Sequence, residues 1–148
     1  MSLLNLQASY FAIENPLRLL DRYFNRFRHR TTLHINQREV ELGWTERAEI
    51  EMKRLDSALI VELQLYFSCV VKKRMLFHRQ PVDINTVRVS DRLELAFRPI
   101  ASAVCDPREF AASYPIGREL VTHRAARMLP RRVEIDYRQG NWEGQFQY

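Results

Sequence analysis

Between positions 59 and 71 every second residue is apolar: Leu59, Val61, Leu63, Leu65, Phe67, Cys69 and Val71. Strict alternation puts all of them on one face of an extended strand, whereas a helix would scatter them around its axis. A strand this apolar has to cross the middle of a sheet and be covered, so the rest of the chain must supply neighbouring strands. Its other face reads Ile60, Glu62, Gln64, Tyr66, Ser68, Val70 and Lys72. That mixed surface suits solvent, a covering helix with polar contacts, or the wall of a pocket. Cys69 is expected to be a small, inert core residue.

Neighbouring strands are legible on both sides. Leu33 and Ile35, then Val40 and Leu42, flank an Asn36-Gln37 turn. Met75 to His78 is extended and Pro81 ends it; Val87, Val89, Leu93, Leu95 and Phe97 then resume the alternation, with Asp91 falling in the apolar register. A tight turn or a bulge at Ser90-Asp91 removes that carboxylate from the core. Val133, Ile135 and Tyr137, the Gln139-Gly140-Asn141 turn, and Trp142, Phe146 and Tyr148 form a closing hairpin. Residues 45–55 fit a helix through Ala48, Met52 and Leu55 or a strand through Ala48, Ile50 and Met52. The strand is preferred, because Asp56-Ser57 would then turn directly into the long strand.

Helix signals are local and chemical. Asn15 can accept from free backbone amides and Pro16 has no amide to leave unsatisfied, which starts a helix at Pro16 and runs it to about His29. Leu17, Leu20, Tyr23, Phe24 and Phe27 share one side of it, with Leu20, Phe24 and Phe27 expected in the core; Arg18, Arg22 and Arg26 repeat on the other. Asp106-Pro107-Arg108-Glu109 reads as a capping box opening a short helix to about Ser113. A further helix, Arg118 to Leu129, stops at Pro130, and Arg124 sits inside its apolar arc of Leu120, Val121, Ala125, Met128 and Leu129. The resulting class is α+β: a mainly antiparallel sheet with an N-terminal amphipathic helix and one or two helices before a C-terminal hairpin. No repeat or linker interrupts the 148 residues, so residues 1–148 are expected to form a single domain, large enough to hold a core without disulfides or metal.

The same residues exclude several chemistries. Glycines stand only at 43, 117, 140 and 144, which removes P-loop and dinucleotide-binding fingerprints. His29, His34, His78 and His123 show no metal-ligand spacing, and Cys69 and Cys105 form no CxxC pair. Cys105, beside the helix start at Asp106, is the better candidate of the two for a reactive thiol, with a buried thiol anchoring a loop as the preferred reading. It lacks a local nucleophile signature, and Asp106 and Glu109 are accounted for by capping. No catalytic residue, metal or cofactor is assigned, and an enzyme is not the favoured reading. Glu134-Ile135-Asp136-Tyr137, with Gly144-Gln145-Phe146 after the turn, resembles the last hairpin of the A-type iron–sulfur carrier proteins. The cysteines that family carries near its C-terminus are absent here, so the resemblance implies no ligand.

Charge supplies the functional expectation. Lysine and arginine number 23 against 18 acids, a net charge of +5, and only Lys53, Lys72 and Lys73 are lysines, which leaves 20 arginines. Arginine's planar fork matches carboxylates and phosphates. Arg18, Arg22, Arg26, Arg124, Arg127, Arg131 and Arg132 therefore form the candidate binding set, with an acidic protein or nucleic acid as partner; no sequence-reading motif accompanies them. The alternative is a small-molecule pocket, possibly enzymatic, between the mixed face of the long strand and a covering helix, with Tyr66, Ser68 and Arg124 converging and Arg124 anchoring an anion. Aromatics near both ends (Tyr10, Phe11, Trp142, Phe146, Tyr148) could join the termini or form a homodimer contact. No apolar run reaches the ~20 residues of a membrane span, and MSLLNLQASYF lacks the features of a signal peptide, so a cytoplasmic location is expected.

Overall fold

The computed structural model describes residues 15–67, 71–102, 117–120 and 128–148. Helix α1 (Pro16–Phe24) begins as its sequence predicts, with the Asn15 side chain accepting from the Leu17 amide at 3.0 Å. It ends earlier than His29. Asn25 turns back on the helix, its backbone amide and its side-chain amide both donating to the Asp21 carbonyl, at 2.8 and 3.1 Å. His29 then belongs to strand β1 (His29–Ile35), paired antiparallel with β2 (Arg38–Trp44). Asn36 and Gln37 both take positive φ, 50° and 65°, as a two-residue hairpin turn with the twist of its strands requires.

Residues 46–54 are helical, which corrects the strand reading. In α2 (Glu46–Arg54) the Thr45 hydroxyl accepts from the Ala48 amide at 3.2 Å, Glu46 and Glu49 lie in the first turn, and Lys53 and Arg54 in the last. Capping and a charge distribution that complements the helix dipole outweigh a short alternation. Ala48 and Met52 are buried while Ile50 is exposed, the helical pattern and not the strand pattern.

The long alternation is two strands. β3 (Leu59–Phe67) pairs antiparallel with β4 (Val71–His78), Phe67 facing Val71, so the segment expected to run unbroken to Val71 stops four residues sooner. Val71 is exposed, and Cys69 lies outside the described residues. The interior position of β3 holds, because β6 (Leu93–Ser102) runs parallel to it on its other side. β5 (Val87–Ser90) joins β6 through a turn at Asp91-Arg92, with a bulge between Arg88 and Ser90, and Asp91 is exposed.

β7 (Gly117–Glu119) pairs with β6 and overturns the helix start at Arg118. A Cβ on Gly117 would stand 2.4 Å from Ile100 Cγ2 and 2.5 Å from the Ala101 carbonyl oxygen, so only glycine lets the chain approach β6 this closely. Residues 121 to 127 of that expected helix and the helix expected over 106–113 fall outside the described residues, while Met128 and Leu129, its expected end, lie outside any helix. β8 (Arg132–Arg138) and β9 (Asn141–Gln147) form the closing hairpin through Gln139 and Gly140, at φ 50° and 79°.

The sheets are β1-β2-β8-β9 and β4-β3-β6-β5, with β7 beside β6; the β2–β8 and β3–β6 pairs are parallel and the others antiparallel. The class is α+β with an N-terminal helix. One core joins Val40, Leu42, Trp44, Val133, Ile135 and Phe146 of the first sheet to Leu59, Val61, Leu63, Leu93 and Leu95 of the second, with Ala48 and Met52 of α2. Each fully buried leucine there contributes roughly 1.5–3 kcal/mol. At the edge, Gly144 of β9 admits Met75 of β4, whose Cε would lie 2.6 Å from an added Cβ.

Candidate functional site

Helix α1 is held by ions, not by its apolar side. No residue of α1 is buried, and Leu20 and Phe24 are 54% and 67% exposed, which corrects the expectation that they enter the core; Phe27, beyond the helix, is half-buried. The anchor is Arg47 of α2. Its Nε and Nη2 donate to the two oxygens of Asp136 at 2.7 and 2.6 Å, and its Nη1 and Nη2 to those of Asp21 at 3.0 and 2.8 Å. Thr45 Oγ and the Tyr137 amide also donate to Asp136, at 2.6 and 2.8 Å. Hydrogen bonds from Arg47 hold the Asp21 carboxyl below the usual range. Burial pushes Asp136 up, but Arg47 and Thr45 outweigh it and leave that carboxyl low as well.

This clamp sets the polar side of α1 over the outer face of the first sheet and encloses an open groove of about 990 Å³. Arg18 and Arg22 of α1, Lys73 and Arg74 of β4, and Arg132 and Arg138 of β8 line it, together with Glu134, Glu143 and the rings of Phe27, Phe77 and Trp142. A smaller hollow of about 290 Å³ shares Phe27, Arg132 and Glu134 and adds Arg30 and Glu41; another of about 570 Å³ shares Arg132 and Glu41 and adds Arg38, Arg131 and Tyr148. Arg132 thus stands where all three meet. Its bonds to Glu41 Oε2, at 2.9 and 3.1 Å, join two half-exposed side chains and cost little to exchange.

Of the sequence-predicted set, Arg18, Arg22 and Arg132 come together in the large groove and Arg131 flanks it. Arg26 does not line it; its guanidinium lies 4.8 Å from the centre of the Tyr23 ring. Arg124 and Arg127 lie outside the described residues, as does Ser68, so of the alternative pocket only Tyr66 can be placed. It is buried against Ile100.

The mixed face of β3 is not solvent: Ile60, Glu62, Gln64 and Tyr66 are all buried. Glu62 Oε1 accepts from Gln64 Nε2 at 2.6 Å and from Arg98 Nη1 at 2.8 Å, and Oε2 lies 2.6 Å from His78 Nε2. Arg98 Nε reaches on to Glu119 at 3.2 Å. Burial pushes the Glu62 carboxyl up, and the three donors more than reverse that. Among the described residues no donor reaches the buried Gln64 Oε1.

Neither the Asp21–Arg47–Asp136 clamp nor the Glu62 network is visible in the sequence as a site. Their members are far apart in the chain, and the one available signal was the polar register of Glu62 and Gln64 within an otherwise apolar strand. Among the described residues no group of three or more His, Cys, Asp or Glu side chains could hold a metal ion, and no helix is long and apolar enough to cross a membrane. Compared with known proteins, the chain matches no family model, no curated protein and no solved structure.

Proposed function

We propose that the chain is a non-enzymatic binding domain whose arginine-lined groove receives an acidic segment of a partner protein. The observation that carries the reading is the meeting of Arg18 and Arg22 with Arg132 in one groove, although the helix and the strand that bear them are remote in sequence. An acidic protein segment suits this lining better than nucleic acid. Glu134 and Glu143 share the groove, and they repel a uniform row of phosphates, whereas a polypeptide brings donors as well as carboxylates.

Fluorescence anisotropy with a labelled Asp/Glu-rich peptide and with a labelled single-stranded oligonucleotide separates these partners. The parent protein is expected to bind the peptide, and R18E/R22E/R132E to weaken it by about tenfold or more. Oligonucleotide binding whose logarithmic salt slope falls by about two to three units in the triple variant establishes the nucleic-acid partner instead. Binding of neither probe refutes the groove as a site for anionic partners.

A second reading, a small-molecule site on the outer face of β3, is favoured by one observation, the buried Gln64 Oε1 that no donor among the described residues reaches. A buried acceptor left unsatisfied is costly, and a ligand N–H or O–H would relieve it. A compound that raises the melting temperature of the parent protein but not of Q64L supports this reading; a screen in which no compound discriminates the two removes it.

A further inference from the structure

Helix α1 is docked inside out. An amphipathic helix on a globular domain normally turns its apolar stripe to the core, yet here the polar side faces the body, Asp21 bound by Arg47 and Arg18 and Arg22 in the groove. The opposite side presents Leu17, Leu19, Leu20, Tyr23 and Phe24, between 49% and 71% exposed. A contiguous apolar patch of this kind marks a contact surface.

Charge decides what it contacts. Residues 15–30 contain Arg18, Arg22, Arg26, Arg28 and Arg30 against Asp21 alone, so this one segment holds +4 of the chain's net +5, and the single carboxylate is already engaged by Arg47. Arg26 and Arg28 are exposed just beyond the end of the helix. An apolar strip with aromatic rings at one end and an excess of arginine beside it has the composition of helices that lie in the interface of an anionic bilayer. There apolar side chains enter the acyl boundary, rings sit at headgroup depth and guanidinium groups meet phosphate.

We propose that α1 seats the domain on an anionic lipid surface, with Leu17, Leu20, Tyr23 and Phe24 entering the bilayer interface and Arg26 and Arg28 pairing with headgroups. The helix has nine residues and spans about 13 Å, so the attachment is shallow and reversible. This surface is the other side of α1 from the groove and does not depend on what the groove binds.

The test is co-sedimentation of the full chain with vesicles of phosphatidylcholine alone and of phosphatidylcholine mixed with phosphatidylglycerol. The parent protein is expected to pellet with the anionic vesicles only, and less as salt rises. L20S/F24S alters exposed side chains and is expected to keep the parent's melting temperature while losing tenfold or more in vesicle affinity; R26E/R28E is expected to lose about as much. R132E, a groove variant, is expected to pellet like the parent. No pelleting with anionic vesicles, equal pelleting with neutral ones, or an unchanged L20S/F24S overturns the proposal. Loss of acidic-peptide binding in L20S/F24S, with vesicles ignored by the parent, also overturns it and assigns the apolar face to a protein partner.

Discussion

Replacing Arg47 with methionine tests whether one guanidinium holds α1 against the sheets. Methionine keeps much of the length and apolar stem and removes four charge-assisted hydrogen bonds, all between 2.6 and 3.0 Å. Removing one partner of a fully buried ion pair costs about 3–5 kcal/mol, because the other charge is left without compensation. Here the side chains of Arg47, Asp21 and Asp136 are 26%, 27% and 19% exposed, so water relieves part of that, and about 2–3 kcal/mol is expected. For a chain of this size the melting temperature should fall by about 4–12 °C. Both carboxyls are held below their ordinary values in the folded protein. The unfolded chain therefore binds more protons in acid, and the stabilisation is full above the ordinary carboxylate range and is lost as pH falls through the folded values. The gap between parent and R47M should consequently be widest near neutral pH and close in acid. D21N isolates the helix tether, since Arg47 keeps Asp136, and should cost about 1 kcal/mol. Urea unfolding across this pH range measures all of these. A neutral-pH gap below about 0.5 kcal/mol, within the range of an ordinary surface substitution, or a gap that persists unchanged into acid would refute the assignment.

Other positions give sharper local tests. G144A should destabilise by about 1–3 kcal/mol, because the new Cβ would meet the Glu134 carbonyl oxygen at 2.8 Å as well as Met75; if M75A restores full stability to G144A, the backbone clash is not the cause. E62Q should cost about 2–4 kcal/mol in chemical denaturation by leaving Arg98 and His78 without their shared anion. Glu62 is held below the ordinary value, so the parent's stability attributed to it is present above that value and lost in acid, and E62Q should lack this component. G140A, at φ 79°, should lose about 1 kcal/mol in a thermal melt, as a left-handed turn position predicts.

Most of the strand framework was legible because it depends on period and turn chemistry, both local. The two hairpins are signalled by Asn36 and Gly140, which tolerate positive φ, while Gln37 and Gln139 take the same conformation without any such preference, and the interior position of β3 follows from its alternation. The same period conceals where β3 ends: an antiparallel partner continues the alternation in register, so residues 59–71 look like one strand until pairing sets Phe67 opposite Val71. Over residues 45–55 the strand reading rests on a direct turn at Asp56-Ser57 into β3, whereas Thr45, the acids of the first turn and the basic residues of the last favour the helix that forms. β7 was unreadable for another reason. A three-residue strand has no period, and what places it is the space that Gly117 leaves against Ile100.

The candidate site shows where sequence reasoning stops. A helical wheel divides α1 into an apolar and a basic face but does not say which faces the protein. The usual inference turns the apolar face inward because burial of leucine and phenylalanine outweighs most alternatives. In α1 the decision is made by residues elsewhere: Arg47, brought to the end of β8 by α2, meets Asp136 there and takes Asp21 as its second carboxylate. Asp21 is the only acid among five arginines in its segment, so it alone can bind that cation, and binding it turns Arg18 and Arg22 toward the sheet. The apolar face is then left outward as a consequence. The position of one aspartate in a basic helix thus determines both the cationic lining of the groove and the exposure of Leu20 and Phe24.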